Sequence, residues 1–592
     1  MPIVQSGGTF ISERRKLRCC RSSRRHAICA GQRARRGARA GLVSRSGQAG
    51  RPCTREDGVA ESYDYIVVGA GSAGCAVAAR LSEDARLKVL LLEAGPVDNH
   101  LWIHIPIGYA RTFLDEKVNW KYETDAESHL DNRKVYWPRG KTLGGSSSIN
   151  GLIYIRGIPS DFDYWRQLGN TGWGFDDVLP YFKKAESNVR GDDALHGGKG
   201  PLGVDDMRWR NALSEAYVEA AVQAGYPRNN DFNGSRQEGV GYYQLTTRGG
   251  RRCSSARAYL QPARGRANLR IVTGALTERV VIEDGRATGV RYRVGDRVET
   301  ATAGREVILC GGAINSPQLL MLSGVGPAEH LAENGIEVKR HLPGVGENLH
   351  DHYQCRQLYR CAKPGTMNEV VGSTFGKMRM GLDYALGRRG LLTVGAGLVG
   401  VFLRTRPELE DPDIQLHFIP FSTDKMGTTL HDFPGFTVTM NQSRPQSRGR
   451  LRLRSADARQ HPSMVANYLA DESDRRTAIA GLKAVRHIAQ QPALKEWIAD
   501  ELLPGGQVQS DAQWLEFLKG NGGSIYHPVG TCKMGTDNDK MAVVDERLRV
   551  RGIEGLRIAD GSVMPQVVSG NTNAACIMIG EKCADMIRAA SA

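Results

Sequence analysis

Residues 64–83 read DYIVVGAGSAGCAVAARLSE, and the order of elements packed into this stretch decides the fold. Tyr65 to Val68 is a short apolar run, strand-like in length and in β-branching. Gly69, Gly71 and Gly74 then form G-x-G-x-x-G, Ser72 opens a helix, and the small residues that follow sit at helical spacing. A second buried run, Val89 to Leu92, ends on Glu93. Strand, glycine turn, helix and strand within about 30 residues make a β-α-β crossover. The first glycine permits the tight turn and the second lets backbone approach a pyrophosphate. The third allows close helix–strand packing, while the helix N-terminus favours phosphate charge. Glu93 lies 19 residues past Gly74, where a carboxylate can bind ribose hydroxyls. The combination predicts dinucleotide binding without choosing between NAD and FAD.

Working outward, the chain of 592 residues is too long for one ordinary domain. Its formal charge of +15 suggests a polyanion partner until its distribution is read. Residues 1–55 hold thirteen Arg and Lys16 against a single Glu13, leaving 65 basic and 63 acidic residues elsewhere. The body is nearly neutral, so no nucleic acid is expected as a partner. The tail, rich in Arg, Ser, Ala and Gly, has the composition of a mitochondrial or plastid transit peptide, and a disordered extension is the alternative. The expected location is intracellular and soluble: cytoplasmic if the tail carries no targeting signal, otherwise mitochondrial or plastid. No run of about 18 apolar residues predicts a membrane span. Eight cysteines between Cys75 and Cys583 show no C-x-x-C pair and read as reduced thiols.

Further strands are expected at 269–272, 306–309, 415–421 and 437–440, with a D-G hairpin after Val280 and an amphipathic helix within 173–186. The segments divide into a discontinuous nucleotide domain (62–165, 230–350 and 525–590) and an inserted substrate domain (166–229 and 351–524). Residues 1–60 are set aside as tail. His350, Asp351 and His352 resemble a metal cluster, but adjacent residues do not share a helix face, and no metal is expected. The H-P-S run at 461–463 has no partner and reads as loop.

Two other stretches choose the cofactor. RGKTLGGSSSINGLIYIRG (139–157) sets small residues and paired glycines before Asn150, as a backbone pressed against a flat ligand requires. GAINSPQLLMLSGVG (312–326) follows a strand and ends in a glycine turn. Together these stretches resemble both signature patterns of the glucose-methanol-choline (GMC) oxidoreductases, FAD enzymes that oxidise alcohols. The resemblance runs from Tyr63 to about Ile587 and is closest to the choline dehydrogenase-like branch. It implies an α/β protein whose Rossmann-like FAD-binding domain carries an inserted α+β substrate domain built on an antiparallel sheet.

Carried over by position, the resemblance implies that Gly69, Gly71, Ser72, Gly74 and Glu93 hold the ADP half of FAD. Gly144, Gly145 and Asn150 would line the flavin and its ribityl chain, and Val280 would meet the adenine through its backbone. Asp560 and Asn573 would lie near the pyrophosphate and ribityl. Ile149 stands where some members carry a flavin-tethering histidine, which implies non-covalent FAD. His527, in S-I-Y-H-P-V-G-T, would be the base at the flavin, with Asn571 as its partner 44 residues on. The chemistry is sound without the family label. A group titrating near neutrality suits removal of a hydroxyl proton, and an amide donor can hold the developing alkoxide.

The expected partners are a small alcohol, choline or another primary alcohol, and an electron acceptor: a quinone, another carrier or oxygen. An oxygen-using oxidase is one alternative. A fatty-acid photodecarboxylase of the same family is another, with Arg444 as its arginine but no cysteine between Cys361 and Cys532. A non-catalytic flavin-binding protein is a third, and it would lack the His527–Asn571 pair. A choline-like cation would need a carboxylate or an aromatic cage, for which Trp173 and Tyr359 are candidates.

Overall fold

Strand Ser62–Val68, helix Ser72–Leu81 and strand Val89–Glu93 form the expected crossover in the computed structural model, which describes residues 61–424 and 429–591. The arginine-rich tail lies outside the described residues. Gly69 takes φ of +101°, and a Cβ there would sit 2.6 Å from the Cys310 carbonyl oxygen. A Cβ on Gly74 would fall 2.0 Å from the Gly69 carbonyl oxygen, so the third glycine sets the helix–turn packing distance.

Among the described residues the first sheet has seven strands. Four lie side by side in the order Leu269–Thr273, Val89–Glu93, Ser62–Val68 and Arg297–Leu309, all parallel. The long last strand divides its pairing. Residues 297–302 bond antiparallel to Arg286–Val294, while its C-terminal end lies parallel to Ser62–Val68 and Leu556–Ile558. Ile66, Val67, Leu91 and Ile308 are fully buried, as strands covered on both faces must be. The D-G hairpin joins Ala275–Glu283 to Arg286–Val294, with Asp284 and Gly285 both at positive φ, the turn that matches strand twist. The C-terminal helix Asn573–Ser591 packs on helix Ser72–Leu81, tied by a bidentate bond from Arg80 to buried Glu581.

The second sheet is antiparallel, in the order Ile498–Leu503, Tyr353–Cys361, Gly435–Gln442, Ile414–Ile419, Val399–Leu403 and Gly239–Tyr242, with Gly523–Ser524 also on Tyr353–Cys361. Strand Gly239–Tyr242 enters it from within residues 230–350. Helices Glu472–Ala489 and Ala212–Gln223 cover one face, leaving the other turned towards the first sheet's glycine loops. Among the described residues no helix is long and apolar enough to cross a membrane.

Candidate active site

A cavity of about 340 Å³ runs between the two sheets. One end is walled by backbone. Gly69, Gly71 and Ser72 line it, opposite Gly145, Ser146 and Gly311–Gly312. The two glycine loops touch, since a Cβ on Gly145 would lie 2.7 Å from the Gly71 Cα, and the Gly144 N–H donates to the Ala70 carbonyl at 2.7 Å. No side chain caps helix Ser72–Leu81, so its first N–H groups remain open to a ligand. Ser72 Oγ donates to Asn573 Oδ1 at 2.7 Å, bringing the N-termini of two helices together at this end. Uncapped N–H groups beside a glycine cradle fit a pyrophosphate.

Among the described residues two carboxylates line the cavity, Glu93 and Asp560, and both sit at this end. Glu93 accepts from the Ala70 and Gly95 N–H groups, each at 2.9 Å, and burial pushes its carboxyl up to about 7. Asp560 accepts from Gly312 N–H and Ser316 Oγ on one oxygen and from Ser562 N–H on the other. Burial raises its pKa as well. Asn150 lines the middle of the cavity. Its Oδ1 accepts from Leu152 N–H at 3.1 Å and from Arg252 at 2.7 Å. Arg252 also donates to the carbonyls of Asn150, Ser147 and Ile103, and full burial lowers its pKa to about 9.

Gly74 and Gly144 support this end from behind its wall rather than lining it. Val280 stands apart. Its N–H donates to Ser323 Oγ at 2.8 Å, and the neighbouring cavity wall is made by Ala275, Leu276 and Thr277. Ile149 does line the cavity, with no nucleophilic atom to offer.

His527 and Asn571 line the other end together. The loop holding His527 is set by Asp351, which accepts the His527 N–H at 2.7 Å and hydroxyl bonds from Tyr468 and Ser524. Tyr526, one residue earlier, is held at φ of +73°, an uncommon conformation for a bulky residue that overdetermined surroundings must maintain. His527 Nδ1 lies 3.0 Å from His352 Nδ1, and His352 Nε2 lies 2.8 Å from the Ser443 carbonyl. A carbonyl only accepts, so His352 Nε2 carries the proton. Burial lowers the His352 pKa to about 4, so the ring is neutral and its Nδ1 is an acceptor. His527 must therefore donate from Nδ1, which leaves Nε2 unprotonated and able to accept. Burial and the neighbouring His352 hold the His527 pKa well below the ordinary value, consistent with a neutral ring. Gln415 Nε2 donates to Asn571 Oδ1 at 3.2 Å, which turns the Asn571 amide nitrogen towards His527 Nε2 at 3.3 Å. The Asn571 N–H is thus directed at the His527 Nε2 lone pair, and one proton acceptor and one N–H donor stand side by side at the cavity wall.

The expectation for His350–His352 rested on a helix, and the segment is extended. His350 bridges to Val529, Leu349 just before it bridges to Gly449, and the segment runs into strand Tyr353–Cys361. The three side chains serve different partners: His350 bonds the Asn348 carbonyl and the Val567 N–H, Asp351 the His527 loop, and His352 the His527 ring. His352, Asp351 and Arg252 were thus missed as site residues. A strand-period reading of N-L-H-D-H would have placed His350 and His352 on one face. Arg444 is paired with Asp411 at 2.9 Å and bonds Ser569 Oγ, away from the cavity wall. Trp173 and Tyr359 are fully buried and also off the wall.

A family model described as GMC oxidoreductase matches residues 63–354, and a second with the same description matches 445–580. An oxygen-dependent choline dehydrogenase of Yersinia pseudotuberculosis is 46% identical over 533 residues, covering 89% of this chain and 94% of its own length. Its counterpart in Vibrio vulnificus is 43% identical over 529 residues with the same coverage. Among solved structures, pyridoxine 4-oxidase from Mesorbium loti superposes with a TM-score of 0.80 at 30% identity, covering 89% of this chain and 99% of that one. A formate oxidase reaches 0.83 at 27% identity, covering 90% and 99%.

Proposed function

The chain belongs to the GMC oxidoreductases, and from that premise we propose that His527 Nε2 takes the hydroxyl proton of an alcohol held by Asn571. The protein is an FAD-dependent oxidoreductase acting on CH–OH donors, with a small alcohol as substrate and a separate electron acceptor. FAD, when bound, would supply the acceptor for the hydride leaving the carbinol carbon. Gly69, Gly71 and Ser72 would hold its pyrophosphate, and Glu93 its adenosine ribose. Asp560 and Asn573 would stand near the pyrophosphate and ribityl, with Gly145 and Asn150 along the flavin. Ile149 leaves the cofactor without a covalent link.

The observation that carries this reading is the hydrogen-bond relay from the Ser443 carbonyl through His352 to His527. It confines the His527 proton to Nδ1, so Nε2 meets the substrate ready to accept. As the hydroxyl proton moves to Nε2, the Asn571 amide donates to the oxygen that becomes an alkoxide. Donors of this kind contribute roughly 2.7–4 kcal/mol. His527 then carries the proton while the carbonyl product forms. Loss of one proton and one hydride from R–CH₂–OH leaves the aldehyde, and no bond to the protein is made.

Choline, named for the Yersinia and Vibrio relatives, is one primary alcohol this chemistry accommodates. The alkoxide mechanism itself is indifferent to the rest of the molecule. The test is anaerobic mixing of the yellow holoenzyme with a panel of primary alcohols. At least one should bleach the flavin absorbance, and a panel that leaves it unchanged overturns the reading. Repeating the mixing in air separates oxygen from another carrier as acceptor.

A further inference from the structure

The charge of the alcohol is written in the strand that runs away from His352. In Tyr353–Cys361 alternate side chains face opposite ways. Gln357 donates to the Leu482 carbonyl in the helix behind the sheet, whereas Gln354 and Arg356 line the cavity. Register sets Arg356 opposite Thr439 and Thr439 opposite His417. All three line the same cavity as His527 and Asn571.

Among the described residues Arg356 makes no ion pair; the Asp424 carboxylate acts on it only at longer range and is itself paired with His431. Its Nη2 donates to the Asp424 carbonyl at 2.8 Å, and its Nη1 is buried with no hydrogen-bond partner among the described residues. A second arginine, Arg139, lines the cavity and donates to the Tyr526 and Pro138 carbonyls. Among the described residues the wall holds two carboxylates, Glu93 and Asp560, both committed at the glycine-loop end. Phe113 and Tyr526, with ring centroids 5.2 Å apart, offer aromatic surface that could otherwise seat a quaternary ammonium. Arg356 acts on the Tyr526 hydroxyl electrostatically, so that surface already faces a cation. A buried guanidinium N–H with no acceptor is what an anionic ligand completes, ideally as a two-point carboxylate contact.

We propose that the substrate is an alcohol bearing a carboxylate or similar anionic group, read by Arg356 with Gln354 beside it, rather than a cationic alcohol. This rests on the alcohol-oxidation reading above and names its substrate class. Four residues of strand separate the Cα atoms of His352 and Arg356, about 13 Å, so an extended ω-hydroxy acid suits the span better than a two-carbon one.

The test compares charge-matched alcohols in anaerobic flavin reduction by the holoenzyme: 4-hydroxybutyrate and 6-hydroxyhexanoate, neutral 3,3-dimethyl-1-butanol, and choline. A hydroxy acid should exceed both others by at least about tenfold in kcat/KM. Arg356→Gln should raise the hydroxy acid's KM by about tenfold or more while leaving its kcat and the neutral alcohol's KM nearly unchanged. Arg356→Glu should shift preference towards choline. If choline or the neutral alcohol is the better substrate, the inference is overturned while alcohol oxidation stands. An equal loss for all three in Arg356→Gln marks a structural role and overturns it too. If no alcohol reduces the flavin, the oxidation reading fails first and this inference falls with it.

Discussion

Replacing His352 with leucine cuts the relay behind the base and leaves every cavity-lining residue in place. His527 Nδ1–H loses its acceptor at 3.0 Å, and the Ser443 carbonyl loses its donor at 2.8 Å, both in a buried site. An unsatisfied buried polar group costs about 1–3 kcal/mol. For His527, that cost is relieved if the proton migrates to Nε2 or the ring turns, and either move removes the lone pair from the substrate. Set against the barrier, 1–3 kcal/mol is a loss of roughly 5- to 150-fold in rate. His352→Gln is the control, because its amide oxygen can accept from His527 and its nitrogen can donate to Ser443. The assay is stopped-flow anaerobic flavin reduction with a saturating alcohol, alongside thermal melting to confirm that each variant is folded. The reasoning predicts a slow leucine variant and a glutamine variant that recovers most of the rate. A leucine variant as fast as the wild type would refute the tautomer argument, as would equal damage in the two.

Acid should destabilise the fold through its buried histidines. His352 and His417 are each lowered to about 4 by burial, so the unfolded chain takes up protons near 6.5 while the folded one does not until about pH 4. Their stabilisation is complete above pH 6.5 and is lost as pH falls towards 4, by up to about 3 kcal/mol each. Glu93, raised to about 7, works in the opposite sense, so the clean readout is a difference. His417→Gln should flatten the fall in unfolding free energy between pH 6.5 and 4.5, and an unchanged slope would contradict the assignment. Arg252→Met removes four hydrogen bonds from a buried cation and frees the loop carrying Asn150. It should cost about 3–5 kcal/mol and lower flavin content, measured by melting and by absorbance of the purified protein.

The parts of the site close in sequence were legible because their physics is local. Gly69, Gly74 and Glu93 belong to one crossover, and Asp284–Gly285 make their own turn. His527 and Asn571 are 44 residues apart, and only the family resemblance joined them. What escaped was set by pairing between distant strands. Arg356, Thr439 and His417 become a row only through sheet register. Arg252 looked like one more basic residue among many until burial left it holding the Asn150 loop. His352 was passed over because its segment was judged on helical geometry, and an extended chain places it against His527. Val280 shows the converse case: a position carried over from the resemblance has its N–H taken by Ser323.

The central claim is that His527 Nε2 is the proton acceptor, and His527→Gln tests it most directly. Flavin content and melting temperature should stay near those of the parent protein, since the backbone N–H that anchors the loop to Asp351 is retained. Anaerobic flavin reduction by the best alcohol of the panel should slow by about 10²–10⁴-fold, the usual contribution of a positioned base. A variant that keeps its FAD and reduces it at the parent rate would contradict the account.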